Sequence, residues 1–441
     1  MNQLKPPSAP MMRARPPLAA LIAASLAVSV GVGQLVSRAG ADTATIKAET
    51  WGESVGFKPD LQSIPVQPGA TVDKSNVATL KGLVPAGLET LISKYNLTLK
   101  VVPYVPFRPS DGYIAATNEN RGKTRLKDVG KEFRTSGRND FFPGLPFPQP
   151  KTGLEVAANF LGRYGGDDFE VYYDTLWISA KSGVEHTEYW HWASVKGVNR
   201  TDIDPRPRIQ EIADQRMVGT SYTEAIEPYD KKGFGALYSS SFDPVDIQGH
   251  VYVPAMRRVL RNSFGTRGDS WNATDFLYED VNGYLGAVEW MNWKLEGKKT
   301  MLMPAHPGVK HGNDPKLTYD LDRFPHWNPK INWEARPVYV LSATPKFPDY
   351  PYSRMLMVVD AESYVMYYKE AFDKKGELWK IILSAPKESP DPKTQPGQMG
   401  ASCAIDLQAE HATCVHARKA RANSGQDLSK FTVSALRKRG H

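Results

Sequence analysis

The sequence predicts a mainly β protein (α+β) organised around a large antiparallel sheet. That prediction rests on a run of strands and tight turns from Arg336 to Leu383, on strand-like segments between Phe169 and Val253, and on an aromatic content of 10%. Aromatic and β-branched residues suit a pleated, half-buried surface.

The C-terminal run reads as an antiparallel meander. Val338 to Thr344 is rich in β-branched and aromatic residues, and the next segment, Pro345 to Pro351, has three prolines and cannot continue a central strand. Met355 to Val359 follows. Asp360-Ala361-Glu362-Ser363 turns the chain into Tyr364 to Phe372, and Asp373-Lys374-Lys375-Gly376 turns it again into Leu378 to Leu383. The pattern speaks for a sheet and contains no evident catalytic group.

The first 41 residues are expected to lie outside the fold. Lys5, Arg13 and Arg15 precede an apolar run from Leu18 to Val36, and Ala39-Gly40-Ala41 has the small-residue spacing of a signal-peptidase site. Cleavage after Ala41 and a periplasmic mature protein are expected. An uncleaved membrane anchor is the alternative, weakened by Ser25, Ser29, Gly31, Gly33 and Gln34 inside the run. Loss of the leader removes four cations and takes the formal net charge from +7 to +3. No Lys/Arg-dense stripe with interleaved aromatics occurs before the extreme C-terminus, which argues against nucleic-acid binding. The β domain is placed at residues 42–383. Residues 384–441 are expected to form a Pro-rich linker, a cysteine segment and a basic tail.

Cys403 and Cys414 are the only cysteines. An exported chain crosses an oxidising compartment, so a disulfide between them is the natural reading. A metal site that adds His411 and His416 is the alternative, weakened by the absence of a Cys-x-x-Cys knuckle.

Helical spacing is local. Leu80, Leu83, Val84, Leu88, Leu91 and Ile92 give two short amphipathic helices, or one kinked at Pro85 and Gly87. Leu154, Ala157, Ala158, Leu161 and Tyr164 mark a helix starting at Thr152-Gly153 and stopping at Gly165-Gly166. Asp275 to Leu285 reads as a short helix capped by Asn272 or Thr274 and stopped at Gly283. Met301 to Lys330 is a loop carrying His306, His311 and His326, spaced too widely for a strong metal signal.

The middle of the chain offers Phe169 to Ser179, Glu185 to Ser194, Tyr238 to Phe242 and Gln248 to Val253 as strands. The two-residue period puts His186, Glu188, Trp190 and Trp192 on one face and Thr187, Tyr189 and His191 on the other, so the two histidines cannot share a metal from this strand alone. Arg257 and Arg261 would share a strand face while Arg258 points away. They would either grip an anionic lipid headgroup or pair with Asp275, Glu279 or Asp280. Ser239-Ser240-Ser241 lacks a Gly-x-Ser-x-Gly frame, and no phosphate-loop or dinucleotide fingerprint occurs.

Three stretches carry a family resemblance. Pro146-Phe147-Pro148-Gln149-Pro150-Lys151 followed by Gly153-Leu154-Glu155 is similar to the signature of the bacterial family catalogued as domain of unknown function 1329. Val253 to Arg261 resembles its paired-Arg strand, and Asn292 to Lys299 its Trp-Lys-Leu-x-Gly-Lys-Lys stretch. The resemblance spans roughly Phe147 to Trp379. It implies a fold like that of the lipoprotein carrier LolA and receptor LolB, an incomplete antiparallel β-barrel of curved sheet with helices at its mouth and an apolar cavity. It also implies work beside resistance-nodulation-division type transporters and outer-membrane proteins, and it supplies no catalytic residues, cofactor or metal.

Two classes of function follow. The first is a periplasmic binding or shuttle protein for lipids or other hydrophobic molecules. The second is an envelope enzyme whose acid-base groups only the fold assembles, with a structural outer-membrane assembly factor as a further possibility. For the carrier, Trp190, Trp192, Trp290 and Trp293, with Met355, Met357 and Tyr367, are the expected cavity lining, and ordinary core packing is the alternative for each. A carrier also needs a hollow.

Overall fold

The computed structural model describes residues 44–126, 142–242, 247–262, 268–310, 312–386 and 399–439. The expected leader and most of the Pro-rich linker lie outside them. The helices are α1 (Trp51–Val55), α2 (Ala86–Tyr95), α3 (Asp111–Asn120), α4 (Gly153–Gly162), α5 (Gln210–Asp214) and α6 (Val433–Arg439). The strands of the first half are β1 (Thr71–Val72), β2 (Leu99–Val101), β3 (Asp168–Ser179), β4 (Gly183–Lys196), β5 (Met217–Glu227), β6 (Gly235–Ser241), β7 (Ile247–Val253) and β8 (Arg258–Asn262). Those of the second half are β9 (Met291–Met303), β10 (Tyr319–Asp320), β11 (Asn328–Pro329), β12 (Asn332–Pro345), β13 (Arg354–Asp360), β14 (Met366–Phe372), β15 (Leu378–Pro386), β16 (Met399–Asp406) and β17 (His411–Ala422).

All but β10 and β11 join one sheet of fifteen strands in the order β1-β2-β12-β13-β14-β15-β16-β17-β3-β4-β5-β6-β7-β8, with β9 on β12. The meander from β12 to β17 is consecutive, and β17 then pairs with β3, so the two halves of the chain meet there. The sheet is antiparallel except where β2 lies parallel to the start of β12. The ends of the order do not pair among the described residues, which leaves an incomplete barrel.

The register defines two faces. Leu295, Leu341, Met357, Lys369, Ile382, Ala404, Thr413, Trp177 and His186 form a continuous cross-strand row from β9 to β4, and directly opposed residues share a face. At the β9 end this face is packed by Trp51 and Val55 of α1, Tyr113 and Ile114 of α3, and Val156 and Phe160 of α4. In the middle, Phe276 and Trp271 cover it. The opposite face, with Val340, Val358, Tyr367, Tyr368, Ile381 and Cys403, packs on Leu88, Leu91 and Ile92 of α2.

The helix signals act as expected at α2 and α4. Pro85 precedes α2, and Asn96 ends it in the left-handed region at φ 56°. Thr152 caps α4, where Thr152 Oγ1 accepts the Glu155 N–H and Glu155 Oε2 accepts that of Thr152. This helix stops at Gly162, before the two glycines.

Four expectations are corrected. The β domain does not end at 383, because β15 runs to Pro386 and β16 and β17 are sheet strands next to β3. The cationic stretch from Ala417 therefore begins as strand, its first six residues completing β17 with Arg418 paired to Asp174, and Val433–Arg439 is helix. Residues 275–285 form a loop with one 3-10 turn, Tyr278–Asp280. The Asp280 carboxylate accepts the Leu277 N–H, the Tyr352 hydroxyl and Lys369 Nζ, which ties this loop to the sheet. Residues 253–261 are not one strand: Pro254–Met256 turn, and Arg257 sits at φ 50° before β8 begins. Beyond these, β5 and β9 add two long strands to the sheet.

Cys403 and Cys414 face each other across β16 and β17 and are bridged. Their proposed metal partners are engaged elsewhere. His416 bonds Thr318 Oγ1 and the Gly312 carbonyl, and His411 Nδ1 lies 2.7 Å from Asp275 Oδ2.

Candidate functional site

The half-buried end of the α4-side face forms a cleft of about 190 Å³. Strand periodicity builds its wall. Trp192, Ser194 and Lys196 alternate along β4 and face the same way as Phe169 and Val171 of β3, which lie opposite Ser194 and Trp192 in the register. Ala420 of β17 sits opposite Val171. Phe169 meets Trp192 edge-to-face at 4.7 Å between ring centroids, a geometry favoured by the ring quadrupoles. Leu161 at the end of α4, then Arg163, Gly165 and Gly166, and Asn282 from the 268–290 loop complete the lining.

The charges in this cleft are unequal in availability. Asp167 accepts the N–H groups of Thr201, Asp202 and Ile203 at 3.0, 2.6 and 3.0 Å. Asp168 accepts those of Ser424, Gly425 and Gln426 at 2.6, 3.0 and 3.0 Å. Both carboxylates are thus committed to holding loops. Arg163 packs over the Phe160 ring and donates to the Phe160 carbonyl, and burial pushes its guanidinium down to about 10. Lys196 Nζ makes no hydrogen bond or ion pair among the described residues. Burial lowers its pKa, against the opposing pull of Asp167 and Asp202. An apolar wall therefore stands beside two cations that an incoming anion can reach.

A family model described as "Protein of unknown function (DUF1329)" matches residues 71–437. The chain belongs to the DUF1329 family. A curated relative of this DUF1329 protein is the "Uncharacterized protein PA3922" of Pseudomonas aeruginosa, 24% identical over 331 residues, covering 71% of this chain and 68% of the relative. Among solved structures it is similar to a Vibrio parahaemolyticus domain provisionally named an outer membrane lipoprotein-sorting protein domain, at 18% identity and TM-score 0.46, covering 65% of this chain and 98% of that one. A DUF1329 family protein from Desulfovibrio piger aligns at 18% identity and TM-score 0.45, covering 64% and 97% of the two chains.

The expected lining residues of this DUF1329 protein separate into three settings. Trp190, Trp192, Trp293, Met355 and Met357 share the α4-side face. Of these, Trp192 alone lines the cleft. Trp190, Met355 and Met357 are buried core. Trp190 Nε1 donates to Glu188 and its ring packs against Phe234 and Trp271. Trp293 is half-buried with Nε1 on the Val288 carbonyl, and Trp290 is buried against Phe347 in the turn before β9. Tyr367 belongs to the opposite face, beside Ser363. A bulge between Val358 and Val359 shifts the register there, a displacement that sequence alternation cannot reveal.

The arginines take a different place from the one expected. Arg257 is in the turn and Arg261 on β8, so they do not share a strand face, and Arg257, Arg258 and Arg261 are all exposed. Their suggested acidic partners Asp275 and Asp280 serve His411 and Lys369 instead. His306 bonds Glu334, His326 bonds the Leu321 carbonyl, and His311 lies outside the described residues. Among the described residues no group of three or more His, Cys, Asp or Glu is placed to hold a metal ion. Sequence reasoning missed Lys196 and Arg163. The signal for Lys196 was available, two and four residues beyond Ser194 and Trp192 on one strand face.

Proposed function

We propose that this DUF1329 protein is an envelope binding protein for hydrophobic molecules that carry an anionic head, held in the cleft at Trp192. The observation that carries the reading is the juxtaposition of Lys196 and Arg163 with Leu161, Phe169, Val171 and Trp192 while both neighbouring aspartates are already occupied by backbone amides. A desolvated cation gains more from an anionic partner than a solvated one does. At about 190 Å³ the cleft is smaller than the roughly 300–1,000 Å³ of ordinary small-molecule pockets, so it suits a head group and the first part of a tail, and a long acyl chain would extend beyond it. A periplasmic shuttle working beside a resistance-nodulation-division type transporter is the finer form of this reading, supported by the family resemblance.

An environment-sensitive fluorescent fatty acid, competed by unlabelled palmitate, tests it. Saturable binding is expected, weakened about tenfold or more by Lys196→Met and also by Trp192→Ala, with the fold intact by circular dichroism. Absence of saturable binding would leave the structural assembly role as the better reading. Binding lost in Trp190→Ala but kept in Trp192→Ala would move the site along the same face to the core around Trp190, Phe234 and Trp271.

A further inference from the structure

Two hairpin turns stand side by side at one end of the sheet. The register opposes Gly235 to Tyr252 and Val253 to Arg258, which brings the β5–β6 turn, residues 228–234, next to the β7–β8 turn, residues 254–257. Tyr229 at the tip of the first is 92% exposed, and Met256 in the second is 52% exposed. Cations surround them. Lys232, Arg257 and Arg258 are exposed, and so are Arg437 and Lys438 of α6, whose Leu436 approaches within 3.1 Å of the Cβ position of Gly235. The side chains of these five make no hydrogen bond or ion pair among the described residues. Glu227 and Asp230 are the exposed acids in the β5–β6 hairpin, and Lys231 is already directed at Glu188 at 3.6 Å.

We propose that this end of the sheet docks on an anionic lipid bilayer. A tyrosine and a methionine carried singly on turn tips can enter the headgroup region, where an amphipathic ring is favoured. The flanking arginines and lysines reach lipid phosphates, each contributing through the negative surface potential. The observation is independent of the cleft, which lies towards the other end of β4. Isolated protruding tips fit a deformable lipid surface better than the continuous apolar core of a protein interface.

Residues 42–441 are the material for the test, because they omit the apolar run Leu18 to Val36, which would bind membranes by itself, and retain the compact unit Ala44–His441. The protein should sediment with sucrose-loaded vesicles of phosphatidylglycerol and phosphatidylethanolamine and not with phosphatidylcholine vesicles, and salt should weaken the binding. Each cation removed should cost about fivefold in partition, so Arg257→Gln with Arg258→Gln should lose about 25-fold, and Tyr229→Ser should lose affinity at unchanged charge. Lys81→Gln with Lys100→Gln, at exposed sites away from these turns, should leave binding unaltered. Unchanged circular dichroism and urea midpoint keep each variant interpretable. Equal sedimentation with both vesicle types, full binding by the Arg257→Gln, Arg258→Gln variant, or equal loss in the Lys81, Lys100 control overturns the proposal. Capture by polyglutamate without vesicle binding also overturns it and assigns the surface to an acidic protein.

Discussion

Arg418 on β17 grips Asp174 on β3, with Nε 2.8 Å from Oδ2 and Nη2 2.5 Å from Oδ1, and its guanidinium lies 3.8 Å from the Tyr189 ring. The pair sits at the seam where the two halves of the sheet join. Asp174 is 1% exposed. Asp174→Ala would strip the partner from a partly buried guanidinium, and the expected loss is about 2–4 kcal/mol in urea unfolding. Arg418→Met should cost at least as much, since it leaves a buried carboxylate. Equal stability of both variants with the parent would show that the seam is held by the backbone ladder and apolar contacts alone.

Arg336 is buried with three carboxylates. It donates to Asp360 and Glu362 at 2.8 and 2.6 Å, Glu334 lies at 3.8 Å, and the Val105 carbonyl takes a further N–H. Burial pushes the Glu362 carboxyl up, against the pull of Arg336. Arg336→Leu would leave these acids without their cation, and a loss of about 3–5 kcal/mol is expected. Thermal unfolding checks it. A variant within about 1 kcal/mol of the parent would mean that the acids are protonated or solvated in the folded state.

His411 should make stability depend on pH. The hydrogen bond to Asp275 raises its pKa above 6.5. Folding therefore favours the protonated form, and the contribution is complete below pH 6.5 and lost as pH rises through the raised value. Urea midpoints of the parent and His411→Asn should differ most at the acid side of that window and converge at the alkaline side. A constant difference across the window would remove the linkage.

The Cys403–Cys414 bridge should stabilise the β16–β17 hairpin. A closed loop of this size contributes about 3 kcal/mol in the chain-entropy model. Denatured, unreduced protein is expected to show no thiol by labelling, and the Cys403→Ser, Cys414→Ser double variant should unfold at lower urea. Two reactive thiols in the unreduced protein would contradict the bridge.

Gly87 permits α2 to sit against the sheet. A Cβ there would lie 2.3 Å from the Tyr368 hydroxyl and 2.8 Å from Glu370 Oε1, the acceptor of the Gly87 N–H. Gly87→Ala, ordinarily favourable by about 1 kcal/mol within a helix, should here destabilise by about 1–3 kcal/mol through overpacking. A stabilised variant in the same unfolding assay would show that α2 can move outward freely.

The sequence by itself determined the local elements, because turn chemistry, capping residues and two-residue alternation act over a few positions. Thr152 with Glu155 at α4, Gly376 after β14, and the shared face of Trp190 and Trp192 all depend only on near neighbours. Family membership was also legible, through the stretches at Pro146, Val253 and Asn292. Tertiary structure decided what those elements face. The start of the cationic tail, Ala417–Ala422, completes a central strand that pairs with β3, where Arg418 meets Asp174, 244 residues earlier. Tyr367 was carried to the opposite face by a bulge, and Met355 and Met357 were closed over by α1 and α4. The cleft itself depends on loops around residues 201–203 and 424–426 arriving to occupy Asp167 and Asp168, which leaves the Lys196 and Arg163 charges available. Burial and charge pairing are sums over neighbours distant in the chain, so no local pattern encodes them.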